Sequence, residues 1–199
     1  MPRPRPLIPH AALLLLLASP VAAQDAASTL KAFGLIGTWA TDCTADLDTV
    51  CSPTPGADRM NWVCGKRTLP EIPSRITFAA PADKPPTRTS STASFVDGFP
   101  MITAFWTISE AKPLGDDRMK LRMTFVDDDW KRPAGADGPD DKGVAYDMVL
   151  QKKDGRLRTI DFIRVDGSRI YAKDGWRYGQ QDGSKRLPWT TPSFERCMN

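Results

Sequence analysis

The sequence predicts an all-β protein, built as an antiparallel sheet that closes into a barrel or folds into a sandwich. Two observations carry this. Apolar side chains recur at every second position through most of the chain, and the runs are separated by short turn signals. The clearest run sets Met119, Leu121, Met123 and Phe125 against Lys120, Arg122 and Thr124. Val144, Tyr146, Met148 and Leu150 repeat it, with Asp147 and Gln151 on the other side. Such alternation places one face of a strand on a core and the other in solvent. Helical periodicity is confined to one short segment near the start, so no interior helix supports the crossovers of a parallel sheet.

Residues 1–23 read as a secretion signal. Arg3 and Arg5 form a positive start, Ala11 to Ala18 an apolar middle, and Ser19-Pro20-Val21-Ala22-Ala23 a small-residue cleavage region before Gln24. The apolar middle is far shorter than the ~20 residues that span a bilayer, so the expected product does not cross a membrane. Residues 24–199 are expected to form one domain. Ala26, Leu30 and Phe33 allow about two helical turns over 24–33, stopped by Gly34. Ile76-Thr77-Phe78 begins a strand, and the Thr/Ser-rich run from Thr87 to Ser94 is an edge strand or a loop. Met101 to Glu110 alternates, as does the stretch Leu157 to Val165. Lys153-Asp154-Gly155-Arg156 is a tight hairpin turn, and Asp166-Gly167 leads to a further strand at Arg169 to Ala172. Ala80 to Pro86 and Arg132 to Lys142 are loops. Roughly six to nine strands result.

Charge and cysteines bound the function. Without the signal, 25 basic side chains face 24 acidic ones, a net charge of +1. That balance argues against a nucleic-acid binder, which needs a basic face. Lys152, Lys153, Arg156 and Arg158 gather near one turn, but Asp154 and Asp161 are interleaved, as on a solvated hairpin. Cys43, Cys51, Cys64 and Cys197 all follow the signal, and an even count in an oxidising compartment implies two disulfides. Three pairings are possible. The spacing favours Cys51–Cys64 across the turn-rich Ser52 to Asp58, leaving Cys43 to pair with Cys197. No Cys-x-x-Cys pair suggests a zinc site.

Gly37-Thr38-Trp39, after the short helix and opening the first strand, resembles the G-x-W start of lipocalins and related small barrels. The resemblance implies an eight-stranded, lipocalin-like barrel. In that family the tryptophan closes one end, packed against an arginine from a late strand, for which Arg169 and Arg177 are the candidates here. A disulfide from the C-terminal segment to the barrel body is also common there. The chain is similar, too, to small bacterial periplasmic proteins that open Phe-Gly-Leu-Ile-Gly-Thr-Trp with a nearby Asp-Cys and end in Arg-Cys. Those residues stand at Phe33 to Trp39, Asp42-Cys43 and Arg196-Cys197. This second resemblance implies a compartment and no activity.

No catalytic constellation is legible. The single histidine, His10, belongs to the signal, which removes imidazole from the exported chain. Ser-His-Asp and Cys-His catalysis and His-ligated zinc go with it. Ser28-Thr29-Leu30-Lys31 matches S-x-x-K, but without its partner motifs. Asp127-Asp128-Asp129 with Asp137, Asp140 and Asp141 is carboxylate-rich, yet lacks the spacing of a calcium loop, and Lys131 and Arg132 oppose it. Neither a catalytic residue, a metal site nor a cofactor is expected. Trp62, Trp106, Trp130, Trp176 and Trp189 are core anchors or the lining of an apolar site. If the barrel is open inside, Phe105, Leu121, Met123, Phe125, Tyr146 and Met148 are the candidate ligand wall. The expected function is a periplasmic or secreted non-catalytic protein that binds a small apolar or amphipathic ligand. The alternative is a cell-envelope interaction module whose barrel is filled by its own side chains.

Overall fold

A computed structural model describes residues 20–57, 60–93, 102–128, 142–165 and 192–198. They form a helix, α1 (Pro20–Ala32), and eleven strands. These are β1 (Gly37–Ala40), β2 (Cys51–Pro55), β3 (Met60–Cys64), β4 (Arg67–Leu69), β5 (Ser74–Ala79) and β6 (Thr87–Thr92). The rest are β7 (Ile102–Pro113), β8 (Arg118–Asp128), β9 (Ala145–Lys153), β10 (Arg156–Arg164) and β11 (Ser193–Arg196). Eight strands close into an antiparallel barrel in the order β1-β11-β10-β9-β8-β7-β6-β5. The expected all-β class is therefore present, and of the two expected forms it is the barrel. Residues 1–19 of the expected signal (1–23) and the strand expected at Arg169 to Ala172 lie outside the described residues. No described helix is long and apolar enough to cross a membrane.

Strand registers sort the connections onto two ends. The lower end holds α1, the loop 80–86 and the hairpins β7–β8 and β9–β10. The β9–β10 turn falls where the sequence places it, with Asp154 (φ 52°) and Gly155 (φ 74°) both left-handed. Two consecutive positive φ values are what a two-residue type I′ hairpin requires. At the upper end β6, β8 and β10 finish and β7 and β9 begin, and a three-stranded sheet, β2-β3-β4, is inserted there between β1 and β5.

That small sheet departs from the sequence reading. Ser52 to Pro55 is strand rather than turn, paired with β3 from Cys51↔Cys64 to Pro55↔Met60. Pro53 and Pro55 fit because β2 is an edge, where a missing N–H leaves no ladder bond unmade. β6 departs as well. Thr87 to Thr92 is neither edge nor loop but pairs on both sides, with β5 and with β7. Its hydroxyls satisfy themselves locally, as in Ser91 Oγ to Thr103 Oγ1 at 3.1 Å.

The core runs up the barrel. Leu30 and Leu35 seal the lower end, and Met119, Leu121, Met123, Met148, Leu150 and Leu157 fill the middle, all at most 1 % exposed. Both disulfides form as the spacing favours: Cys43–Cys197 over a separation of 154 residues, Cys51–Cys64 over 13. Two such bonds suit an oxidising, extracytoplasmic compartment.

Candidate functional site

The lower end explains the Gly-Thr-Trp motif. Trp39 is 2 % exposed, and its indole N–H donates to the Leu35 carbonyl at 2.9 Å. The Arg196 guanidinium lies over the ring at 5.8 Å and donates to the Ile36 carbonyl at 2.8 Å and the Gly34 carbonyl at 3.3 Å. Gly37 sits at φ +128°, with the Arg196 guanidinium 3.4 Å from where a Cβ would stand. A side chain there would be strained and would crowd the arginine. Arg169 and Arg177, the arginines proposed from sequence, lie outside the described residues, and Arg196 occupies the place over the tryptophan. Its position next to Cys197 was the available signal.

The upper interior differs in character. Trp106 on β7 meets Phe125 on β8 and Tyr146 on β9 edge-to-face at 5.0 Å each, and Phe162 on β10 at 5.7 Å. Tyr146 and Phe162 stack at 5.1 Å. Edge-to-face and offset contacts at these separations are the favourable geometries of aromatic rings. Two arginines turn toward the same rings: Arg88 of β6 over Trp106 at 5.8 Å and Arg164 of β10 over Tyr146 at 6.0 Å. Arg88 is only 7 % exposed. The Trp106 indole N–H is buried and has no hydrogen-bond partner among the described residues. Burying a donor unpaired costs about 1–3 kcal/mol, and the Nε atoms of Arg88 and Arg164, the two arginines over these rings, are likewise buried with no hydrogen-bond partner among the described residues.

The residues proposed as a ligand wall divide among three places. Phe125 and Tyr146 belong to the aromatic cluster. Leu121, Met123 and Met148 are wholly buried beside it in the same core, Met123 opposite Tyr146 and Met148 opposite Phe162. Phe105 is on the outside of the barrel, 42 % exposed, and this corrects its assignment to the interior. The sequence from Met101 to Glu110 alternates equally well in either register. The pairing with β8 settles it, with Trp106 opposite the buried Phe125 inside and Phe105 opposite the exposed Asp127 outside, the extra residue at this shift being Val126 of β8. Arg88 and Phe162 were not singled out from sequence. Arg88 is masked by the hydroxyl-rich run around it, and Phe162 follows a register shift between Thr159 and Asp161.

The other candidates fall on the surface or in a core. Trp62, 5 % exposed, packs with Cys51, Cys64 and Ala93 beneath the small sheet. Ser28 and Lys31 are exposed on α1. Asp127 is exposed and pairs with Lys142 at 3.6 Å. Asp129, Asp137, Asp140, Asp141, Trp130, Trp176 and Trp189 lie outside the described residues. Among the described residues, no three His, Cys, Asp or Glu side chains are grouped to hold a metal. On the outer face, Asp147 accepts two bonds from Arg122, at 2.8 and 2.9 Å, and a contact from Lys120 at 2.9 Å. The Arg122 bond chiefly, helped by Lys120, holds its carboxyl down at about 2. This is a structural ion cluster on the sheet surface, far from the aromatic interior.

Comparison with protein families, with curated proteins and with solved structures found no match to this chain.

Proposed function

We propose that this chain is a secreted or periplasmic, non-catalytic β-barrel of lipocalin-like form that binds a small amphipathic molecule at its upper end. The observation that carries this reading is the Trp106 N–H, buried with no acceptor among the described residues and amid three other aromatic rings. A ligand with an apolar body and an oxygen-bearing head supplies what that site lacks: ring contact and an acceptor. The Arg88 and Arg164 guanidiniums over the same rings favour a head that is negatively charged or strongly polar. The packing of Arg196 over Trp39 supports the lipocalin resemblance, and the sequence of residues 1–23 together with two disulfides supports export.

The burial of Leu121, Met123 and Met148 favours the second reading, a filled barrel that acts as an envelope interaction module. It also restricts the first, because ligand space is then confined to the aromatic end. Titration of the folded protein with an anilinonaphthalene sulfonate probe, followed by tryptophan quenching, separates the two. Saturable binding that Trp106→Phe weakens by roughly 3–10-fold, the value of one hydrogen bond, supports the ligand site. Absence of binding by the folded wild-type protein moves the function to the interaction module.

A further inference from the structure

A second concavity lies outside the barrel, where the small sheet meets β10 and β11. It encloses about 340 Å³ and is walled by Leu69 and Pro70 on one side and by the outward face of β10 and β11 on the other. We infer that this cleft is a binding site for a small zwitterion of dipeptide size, with a carboxylate at Arg158 and an ammonium at Glu195.

The wall is fixed before any ligand arrives. Ser193 is 4 % exposed, and three hydrogen bonds from two neighbours hold it. Arg156 donates to its Oγ and to its carbonyl, both at 2.7 Å, and its N–H donates to the Glu71 carboxylate at 2.9 Å. Asp42 is likewise committed, bound by Arg67 and by Thr44. Arg158 is different: its side chain lines the cleft, is exposed, and makes no hydrogen bond or ion pair with any other described residue. Glu195 is held only loosely, 3.8 Å from Arg156 and 3.5 Å from the Cys43 N–H.

Charge selects the class of ligand. Arg156, Arg158 and the adjoining Arg67 balance Asp42, Glu71 and Glu195, so the cleft attracts neither a plain anion nor a plain cation. A molecule carrying both charges, held apart, is complementary to it. Register sets the separation. Arg158 stands opposite Ser193 and Arg156 opposite Glu195, which makes Arg158 and Glu195 diagonal neighbours whose backbone anchors are about 7 Å apart. Two residues of extended chain span roughly 7 Å, whereas a single amino acid carries its charges much closer. Leu69 and Pro70 offer the apolar contact for a side chain, and the volume is at the lower end of small-molecule sites.

Calorimetric titration with L-alanyl-L-alanine, its N-acetyl derivative and its C-terminal amide tests this. The zwitterion is expected to bind, with each singly charged derivative at least about tenfold weaker, or roughly 1.4 kcal/mol. Arg158→Gln, an exposed change that leaves the thermal melt in place, should reduce the zwitterion to the affinity of the amide, and Glu195→Gln to that of the N-acetyl form. No saturable heat up to roughly 10 mM, equal binding of the three compounds, or an affinity unchanged in Arg158→Gln would each overturn the assignment.

Discussion

Replacing Trp39 tests how the lower end is closed. Three contributions are lost in Trp39→Ala: a buried indole at 2 % exposure, its hydrogen bond to Leu35, and the stacked Arg196. Large-aromatic-to-alanine changes in cores cost about 3–5 kcal/mol. At about 2–4 °C per kcal/mol for a domain of this size, the melting temperature should fall by roughly 6–20 °C. Trp39→Phe keeps most of the apolar ring but strands the Leu35 carbonyl, for about 1–3 kcal/mol. Arg196→Met removes a partly solvated cation–π contact, about 0.5–1 kcal/mol, and its bonds to the carbonyls of Gly34 and Ile36. The assay is urea unfolding of the two single variants and of the double variant Trp39→Phe/Arg196→Met. A coupling energy of about 0.5–1 kcal/mol is expected between residues in contact. A loss below about 1 kcal/mol in Trp39→Ala, or strict additivity in the cycle, would refute the closing role assigned to this pair.

Met123 has no exposed surface, so Met123→Trp should overpack the middle of the barrel and lower stability by roughly 1–3 kcal/mol; an unchanged urea midpoint would mean open space there. Replacing Cys43 and Cys197 by serine should cost about 5 kcal/mol on loop entropy, against about 3 for Cys51 and Cys64, and unfolding curves showing the reverse order would contradict the loop-entropy account. The Asp147 carboxyl is held at about 2 from its ordinary 3.8, a depressed value whose stabilisation is complete above about pH 4 and lost as pH falls through 2. With partly exposed partners the effect is worth about 1 kcal/mol. Asp147→Asn should therefore be less stable than wild type at pH 6 and converge with it by pH 2, as read from urea midpoints; parallel curves would exclude this linkage.

Strands with a strong alternation were legible from sequence because burial on one face alone dictates it. Met119 to Phe125 and Tyr146 to Leu150 keep strict period two, and their inward residues are the buried ones. Two kinds of element were not legible. β6 carries hydroxyls on both faces, since neighbouring strands rather than apolar side chains satisfy and hold it. β2 contains two prolines, which pattern reading treats as turn residues although an edge strand tolerates them. Of the candidate site, Phe125, Tyr146 and Trp106 were visible as large apolar residues in strands. What put Trp106 inside and Phe105 outside was the pairing of β7 with β8, and a register between strands leaves no mark on composition. Arg88 and Arg164 were invisible for a related reason: a charged residue in a strand reads as solvent-facing unless its register is known.

The barrel is sealed by its two most distant strands. β1 and β11 share only Trp39↔Arg196 and Ala40↔Glu195, supplemented by the Cys197 N–H to Thr38 carbonyl bond at 2.9 Å and by the Cys43–Cys197 disulfide. A chain emerging from its N-terminus therefore makes β5 to β10 long before it can close. During that interval it is a curled sheet with two bare edges, at β1 and at β10, each offering unpaired N–H and C=O groups to any other strand. Contacts this remote in sequence form slowly, since the whole intervening loop must be closed first. Residues 193–197 thus act as a zip fastener drawn only after β5 to β10 have been made. A chain clipped before Ser193 keeps both edges for good, and its natural partner becomes the edge of another clipped copy.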